Sequence, residues 1–416
     1  MPFYIDSIYS RIKRYTARTV DPVRNPYAPG AGTAPPELAG RERERDAFEL
    51  LLQRLAAGRP DQGLALWGLR GVGKTVLLND MARRAEIAGW GTGYVELGSR
   101  GPLRPALATI ALQAAQSLAR QPGLGERVRA ALAVIRSFSV TAMPTGVTFT
   151  IDVDPHAGRG DSGQLDADLY EVLLELGETA REAGSGVALF FDEMQFADTG
   201  DLGAVLSALH RSGQRTLPIA AVCAGLPQLA SRLVEASSYA ERLFSYHEVG
   251  ELDQAAAAAA LSLPAEREGV EFTPEALDYL LRRTGRYPFF IQTYGKYAWQ
   301  IAQTTPIDLA VVEAADAIAQ EQLDSGFHRS RWNRATPAER RYLAALADLG
   351  DGPRPTADVS ARLNSTQQQT AVQRQNLIDV KGLLYSPQRG LVDFTAPLFG
   401  DYVRRHHPLA DLLAGG

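Results

Sequence analysis

An eight-residue glycine pattern constrains the fold of this chain more than any other feature of its sequence. Residues 68–75 read Gly-Leu-Arg-Gly-Val-Gly-Lys-Thr and follow a short apolar run at 63–67. Glycines let successive backbone N–H groups point at one anion, and a helix that starts after the loop directs its positive end to the same place. We therefore predict a phosphate-binding loop between a buried strand and a helix. The alternative is a glycine-rich turn that ends in Lys-Thr by chance.

Each part of this loop has a predicted role. The Lys74 ammonium is predicted to contact the β- and γ-phosphates, and the Thr75 hydroxyl to take one coordination position of Mg²⁺. The chain has only four lysines, so a lysine at this point is informative. The predicted nucleotide-binding residues of the loop and the first helical turn are Gly68, Leu69, Arg70, Gly71, Val72, Gly73, Lys74, Thr75 and Val76.

A second apolar run, at 187–191, ends in the acidic pair Asp192 and Glu193. In open α/β sheets, ligands bind at the carboxyl ends of the strands, so these carboxylates are placed for a role beside the phosphates. We predict that Asp192 holds Mg²⁺ through water and that Glu193 orients or deprotonates the attacking water. The alternative is a polar strand end that binds nothing.

The order of the predicted elements indicates several domains. Strands alternate with helices up to about residue 252, which predicts crossover connections and a parallel sheet. Later residues have a helical pattern, and the last part combines helices with a predicted hairpin at 383–386 and 391–395. Such a combination is typical of a winged helix-turn-helix. The predicted segments are an N-terminal helix and extended segment at 1–36, a P-loop α/β domain at 37–252, a helical lid at 253–326 and a winged-helix domain at 327–416.

The predicted winged helix is the second indication of function. Residues 327–416 contain 12 Lys and Arg against eight Asp and Glu, whereas the whole chain has a net charge of −5. This basic balance suits an acidic partner such as DNA, but winged helices also bind proteins, and both remain open. The residues predicted to reach DNA are Gln367, Gln368, Gln369, Gln373 and Arg374 on a recognition helix at 366–378, with Arg389 in the wing.

Four segments resemble a known group of proteins. Residues 68–75 and the sequence Phe-Phe-Asp-Glu-Met-Gln at 190–195 resemble the Walker A and Walker B motifs of AAA+ and STAND-type ATPases, especially the archaeal-type and origin-recognition-like branch. Residues 37–44 resemble the motif that precedes the phosphate loop, and residues 285–292 resemble the G-x-x-P segment of the lid. The resemblance implies ATP and Mg²⁺ as cofactors, ATP hydrolysis, and an ATPase domain followed by a winged helix.

The same resemblance implies further site residues. Tyr27 and Arg41 would border the adenine, and Pro288 of the lid would lie near the nucleotide. Arg242 stands at the usual position of an arginine finger, which acts on the phosphates of a neighbouring subunit, and Arg286 would sense the γ-phosphate. For the base-pocket residues the alternative is a linker packed on the core, and for Arg242 it is a surface salt bridge.

Two departures from the family pattern bear on the rate of hydrolysis. Cys223 stands where relatives carry a polar sensor residue, and the lid reads Gly-Arg-Tyr-Pro where many relatives have Gly-Gly-x-Pro. We therefore predict a slowly ATP-hydrolysing, regulatory molecular switch whose winged helix binds DNA or a partner protein. The alternative is a nucleotide-gated protein scaffold, for signalling or anti-phage defence, without DNA binding. A small-molecule kinase is disfavoured because no separate substrate site is visible.

Composition limits the location and the partners of the chain. Apolar residues make up 45% and charged residues 22%, as in globular proteins. No apolar run approaches the roughly 18 to 20 residues of a spanning helix, and the N-terminal residues are too polar for a secretory signal. A single cysteine excludes an internal disulfide framework. We expect a cytoplasmic protein without membrane contact, which forms homo-oligomers or binds a partner protein.

Overall fold

The computed structural model describes residues 19–30, 32–98, 103–121, 123–142, 153–156 and 158–414. These residues form two compact units, each made from segments that are distant in sequence. The helical unit joins the described residues of Met1–Gly40 with Glu251–Leu323, and the sheet unit joins Arg41–Gly250 with the described residues of Asp324–Gly416. The helix predicted near the N-terminus lies outside the described residues.

A five-stranded parallel sheet is the centre of the sheet unit. Its strands are β1 (Gly63–Trp67), β2 (Gly91–Glu96), β3 (Val187–Asp192), β4 (Ile219–Gly225) and β5 (Phe244–Glu248). They lie in the order β2-β3-β4-β1-β5, and every neighbouring pair is parallel. All residues of β3 are buried, as expected for a strand covered on both faces. The predicted α/β P-loop fold is therefore confirmed.

Eight α-helices lie among the described residues of the sheet unit before residue 251. They are α1 (Glu42–Ala56), α2 (Lys74–Ile87), α3 (Leu103–Leu118), α4 (Gly125–Ala142), α5 (Leu165–Glu182), α6 (Thr199–Gln214), α7 (Leu229–Ala236) and α8 (Ala240–Leu243). Their apolar faces cover the sheet. Phe48 of α1, for example, packs on Phe190 of β3 with a ring-centroid distance of 5.7 Å. This packing fixes the strand ends that carry the predicted site.

Apolar and polar residues alternate at 137–154 around a proline and a glycine, which predicts a hairpin, and this prediction is wrong in its first half. Residues 137–142 continue α4, and residues 143–152 lie outside the described residues. Alternating serines suggested a strand there. In the helix, however, the Ser137 hydroxyl donates to the Ala133 carbonyl at 3.2 Å and the Ser139 hydroxyl to the Ile135 carbonyl at 2.7 Å. Serine can satisfy its hydroxyl on the preceding helical turn, so the polar alternation does not exclude a helix.

The described residues of the helical unit include four long helices: α9 (Gln254–Arg267), α10 (Pro274–Thr284), α11 (Pro288–Ile301) and α12 (Leu309–Gln322). Thr273 is the N-cap of helix α10, and its side chain accepts the N–H of Ala276. The described N-terminal segment packs on these helices. Its Asp21 carbonyl accepts a 2.8 Å hydrogen bond from the Trp299 indole.

The remaining part of the sheet unit, residues 324–414, is called the C-terminal domain below. Its elements are α13 (Arg329–Arg334), α14 (Pro337–Asp348), β6 (Arg354–Pro355), α15 (Thr356–Arg362), α16 (Ala371–Gln375), β7 (Leu384–Tyr385), β8 (Leu391–Phe394), α17 (Phe399–His406) and α18 (Leu409–Ala414). The predicted hairpin is present as β7 and β8, and β6 extends it to an antiparallel sheet in the order β6-β8-β7. A capping box of Thr336 and Glu339 starts α14.

The helix predicted at 366–378 is shorter than expected. Only Ala371–Gln375 is α-helical, and a π-helical turn follows at Asn376–Val380. Before it, the Gln369 side chain accepts the backbone N–H of Thr366 at 2.8 Å. Such side-chain bonds compete with the backbone bonds of a helix, which explains the turn at 366–370.

None of the described helices combines the length and the apolar character that crossing a membrane requires.

Candidate nucleotide site

The glycine loop connects β1 to α2, and its backbone conformation requires glycine. Gly71 and Gly73 have φ values of +83° and +93°, in the left-handed region that other residues rarely adopt. At Gly68 a Cβ atom would lie 2.0 Å from the Val249 carbonyl oxygen, so a side chain has no room. The loop therefore exposes backbone N–H groups at the start of α2, as phosphate binding requires.

The Lys74 side chain folds back over this loop. Its ammonium donates to the carbonyl oxygens of Gly68 and Leu69, both at 2.8 Å. Burial lowers the pKa of Lys74 to about 8, although Glu193 and Asp192 partly counteract the effect. A buried ammonium with two carbonyl partners is poised to exchange one of them for a phosphate oxygen.

Thr75 and Asp192 meet across the sheet edge. The Thr75 hydroxyl donates to Oδ2 of Asp192 at 2.5 Å, and the Tyr94 hydroxyl donates to the same oxygen at 3.0 Å. Burial, followed by the charge of Asp192, raises the pKa of the Tyr94 hydroxyl. A hydroxyl and a carboxylate in contact form the oxygen donor set that Mg²⁺ prefers, so these residues fit the predicted ion. Tyr94 was not predicted, although its place on β2, the strand beside β3, is a usable signal.

Glu193 follows Asp192 in a left-handed conformation, with φ of 54°. Its backbone N–H donates to Oδ1 of Asp192 at 2.8 Å. One carboxylate oxygen, Oε1, lies 3.4 Å from the Arg70 guanidinium, and the other accepts a hydrogen bond from the Gln195 amide. Gln195 is itself held because its side-chain oxygen accepts the Leu226 N–H at 3.0 Å. The acidic pair therefore lies beside the phosphate loop, and both carboxylates have defined partners.

Arg70, within the loop, also contacts the C-terminal domain. Its backbone N–H donates to the Thr395 carbonyl at 2.8 Å, and its Nε lies 3.5 Å from the Gly382 carbonyl. The charges of Arg70 and Glu193 also act on two arginines of α13. Burial, followed by repulsion from Arg70, lowers the pKa of Arg331 to about 9 and lowers that of Arg334. No sequence pattern indicated this cluster of guanidinium groups.

Arg41 stabilises the phosphate loop by hydrogen bonds from its guanidinium. Its guanidinium donates to the Val72 carbonyl at 3.0 Å and to the Gly250 carbonyl at 2.5 Å, and the residue is buried. Arg41 thus ties the phosphate loop to the segment that follows β5. The role of Arg41 at the adenine remains a prediction, whereas its guanidinium holds the Val72 carbonyl of the loop.

Arg242 lies far from the site of its own chain. It is the penultimate residue of α8, and its carbonyl accepts the Gln62 side-chain amide at 3.1 Å, beside the start of β1. The phosphate loop follows the other end of β1, five residues away or about 16 Å at the usual strand rise. The structure does not bring Arg242 together with Lys74 and Glu193, so a role as arginine finger would require a neighbouring subunit.

Three predicted site residues belong to the helical unit. Tyr27 is buried, its ring meets Trp299 edge-on, and its hydroxyl donates to the Leu261 carbonyl. Arg286 has a φ of 61°, its carbonyl accepts the Leu252 N–H at 3.1 Å, and Pro288 starts α11. These facts place the residues within the unit, and their roles at the nucleotide remain predictions.

Several residues predicted to reach DNA make local contacts. The Gln367 side chain accepts the Thr356 hydroxyl at 3.2 Å, and Gln369 bonds to Thr366. Arg374 lies on α16, whereas Arg389 lies in the exposed turn between β7 and β8. Gln368 and Gln373 flank these positions. Their role toward DNA remains a prediction.

Residues 37–222 match the family model described as AAA ATPase domain, and residues 325–403 match a domain of unknown function (DUF8462). No curated protein matches the chain. The Walker-type ATPase PABY2304 of Pyrococcus abyssi has a similar structure, with a TM-score of 0.56 and 15% identity over 89% of this chain and 97% of that one.

The ORC2 protein of Aeropyrum pernix, in its ADPNP-ADP complexes, is also similar. Its TM-score is 0.53, at 16% identity over 93% of this chain and 97% of that one. Identity this low shows a shared fold, whereas the family match covers the residues of both Walker motifs. Residues 37–222 therefore match an AAA ATPase domain, on a fold that is similar to that of known P-loop ATPases.

Proposed function

We propose that the chain is a slowly ATP-hydrolysing molecular switch whose C-terminal domain is a winged helix that binds a partner. The observation that carries the proposal is the convergence of Lys74, Thr75, Asp192 and Glu193 at the carboxyl edge of one parallel sheet. A cation, a hydroxyl and two carboxylates at this edge match the needs of a magnesium-bound triphosphate. The nucleotide complexes of the similar ORC2 structure support the same ligand class.

The residues divide the chemistry among them. The loop N–H groups and Lys74 bind and orient the phosphates, and Thr75 and Asp192 would hold Mg²⁺, which neutralises phosphate charge when bound. Glu193 accepts a proton from the attacking water. The water oxygen then bonds to the γ-phosphorus, the bond from that phosphorus to the bridging oxygen breaks, and ADP and phosphate result.

A cysteine near the end of β4 supports slow turnover. Cys223 is buried there, and burial raises the pKa of its thiol to about 12. A buried neutral thiol offers no strong hydrogen-bond donor to the γ-phosphate, unlike the polar sensor of the relatives that the chain resembles. The Leu226 N–H that follows is already bonded to Gln195. Weak transition-state stabilisation suits a switch better than a motor.

ATP turnover by Lys74→Ala and Glu193→Gln variants tests this function. Lys74→Ala should lose ATP binding, whereas Glu193→Gln should bind ATP and lose turnover by at least about a hundredfold. Two matched variants, Lys296→Ala on α11 and Glu235→Gln at an exposed position on α7, change the same residue types outside the phosphate loop and the acidic pair and should behave as the wild type. Equal hydrolysis by the wild type and Glu193→Gln would contradict the assignment.

The partner of the C-terminal domain is the second part of the proposal. DNA and protein are both compatible with its basic charge and its three-stranded sheet. The local bonds of Gln367 and Gln369 favour a protein-facing or intramolecular role, whereas Arg389 at the hairpin turn favours DNA. Light scattering with size exclusion, with and without ATP and duplex DNA, separates a DNA-binding switch from a nucleotide-gated scaffold.

A further inference from the structure

The C-terminal domain docks directly on the phosphate loop. The Thr395 carbonyl accepts the Arg70 N–H at 2.8 Å, and the Gly382 carbonyl lies 3.5 Å from Arg70 Nε. A third contact joins the Gln228 side-chain amide to the Ile378 carbonyl at 3.3 Å. All three acceptors are backbone carbonyls of the C-terminal domain, so the position of its backbone determines the docking.

Close approach at Gly382 makes this docking specific. A Cβ atom there would lie 2.8 Å from the Leu226 side chain and 3.2 Å from Nη2 of Arg70. Gly382 is buried and has a φ of +56°. A side chain at this point would therefore have to displace the ends of the Leu226 and Arg70 side chains, which disturbs the contact between Arg70 and the C-terminal domain.

Arg70 connects this contact to the acidic pair. While its N–H and Nε meet the C-terminal domain, its Nη1 lies 3.4 Å from Oε1 of Glu193. Arg331 and Arg334 add positive charge to the same region, and their pKa values are lowered partly by repulsion from Arg70. Glu193 attracts both arginines, so its charge offsets part of the repulsion between Arg70 and the docked domain.

We propose that Arg70 is a positioning residue through which the docked C-terminal domain restrains Glu193 and slows ATP hydrolysis. This inference rests on the proposed function, because it assigns a control to the same site. In the docked state Arg70 and Gln195 engage the two oxygens of Glu193, which limits the approach of a water molecule. When the domain undocks, Arg70 loses both carbonyl partners and no longer holds Glu193 in place. Coupling is reciprocal, so nucleotide binding that displaces Arg70 from Glu193 must also weaken docking.

Substitution of Gly382 tests the restraint without altering a residue of the ATP site. Asparagine tolerates positive φ, so Gly382→Asn adds a side chain against Leu226 and Arg70 at little backbone cost. Gly390→Asn is the matched control, since Gly390 has a φ of +84° and a Cβ there would meet nothing within 4 Å. We expect Gly382→Asn to raise kcat about three- to tenfold with KM unchanged, and Gly390→Asn to equal the wild type.

Digestion by a lysine-specific protease reports docking independently of turnover. The chain has four lysines, and Lys381 precedes Gly382 at the docked surface. Cleavage after Lys381 should be slow in the wild type and in Gly390→Asn, and several-fold faster in Gly382→Asn at equal melting temperature. A non-hydrolysable ATP analogue should accelerate the same cleavage in the wild type.

The outcomes separate this inference from the proposed function. A wild type without ATP turnover would remove the proposed function. Normal wild-type turnover, with accelerated cleavage of Gly382→Asn and an unchanged or lower kcat, would overturn the restraint alone. Unaccelerated cleavage in a folded Gly382→Asn variant would show that Gly382 does not govern docking, and this result would also overturn the inference.

Discussion

The hydroxyl of Tyr94 donates a 3.0 Å hydrogen bond to Oδ2 of Asp192, the same oxygen that accepts the hydroxyl of Thr75. Groups behind a metal ligand orient it, and their loss typically weakens metal binding by about 10- to 100-fold. We therefore expect Tyr94→Phe to lower the Mg²⁺-dependent affinity for ATP about tenfold. Calorimetric titration of a non-hydrolysable ATP analogue, with Mg²⁺ and with EDTA, measures this difference.

Tyr246→Phe provides the control for that prediction. The Tyr246 hydroxyl is buried and has no hydrogen-bond partner among the described residues. Its removal should leave the affinity for the analogue unchanged. Equal affinities of Tyr94→Phe and the wild type in Mg²⁺ would show that Tyr94 does not support the ion site.

Lys74 should make nucleotide binding depend on pH. Its pKa is lowered to about 8, so the ammonium is charged below that pH and increasingly neutral above it. A bound phosphate stabilises the charged form and raises the pKa. ATP binding should therefore take up about half a proton at pH 8 and roughly one at pH 9, with affinity falling as the pH rises. Calorimetry in two buffers of different ionisation enthalpy measures the proton uptake. If ATP binding took up no proton at pH 9, the lowered pKa of Lys74 would be contradicted.

Arg41 should matter for both stability and affinity. Replacement by Met leaves the Val72 and Gly250 carbonyls without their buried, charged donor. We expect a loss of about 3 kcal/mol in the free energy of unfolding, with weaker ATP binding because the loop is no longer tied. Urea unfolding measures the first effect. Arg43→Met, a change at an exposed position in the first turn of α1, should alter neither quantity, and an Arg41→Met variant with unchanged stability and affinity would refute the supporting role.

Arg242 should act only between subunits if it acts on ATP at all. Arg242→Ala and Glu193→Gln would each lack turnover in an oligomer that shares sites across subunits. A mixture of the two should regain activity, because some sites then combine an intact Glu193 with an intact Arg242 from a neighbour. Turnover measured against the mixing ratio tests this. If Arg242→Ala alone hydrolysed ATP as fast as the wild type, Arg242 would have no role as an arginine finger.

DNA binding through the C-terminal domain makes a separate prediction. If phosphates of DNA contact Arg374 and Arg389, the affinity for duplex DNA should fall steeply with salt. Each Arg→Ala change should reduce the slope of log affinity against log salt by about one. Fluorescence anisotropy measures the slope. Binding that is absent at low salt would favour a protein partner.

Local patterns predicted the central sheet and the phosphate loop well. The strand, loop and helix around Gly68–Thr75 are adjacent in sequence, and β3 ends in the acidic pair that the apolar run at 187–191 indicated. Such features depend on neighbouring residues alone, and the glycines admit few other conformations. The conformation of the glycine loop and its place between a strand and a helix could therefore be predicted from the sequence.

Contacts between distant segments were not accessible. Gly382 meets Arg70 across 312 residues, and no periodicity indicates which backbone carbonyl will face the loop. Arg41 belonged to a predicted motif, but its bonds to Val72 and Gly250 depend on the folded loop. The helical residues Ser137 and Ser139 show that a local pattern can also mislead. Their alternation with apolar residues fits a strand, but in the helix their hydroxyls donate to carbonyls of the preceding turn.

The distance in sequence between Arg70 and Gly382 has a consequence for synthesis on the ribosome. At about 5 to 20 residues per second, the phosphate loop emerges roughly 15 to 60 seconds before the segment that meets it. During that interval a nascent chain can form the strands and the nucleotide pocket while Glu193 is still free of the C-terminal restraint. Translation speed through residues 251–381 would then determine how long an unfinished molecule can consume ATP.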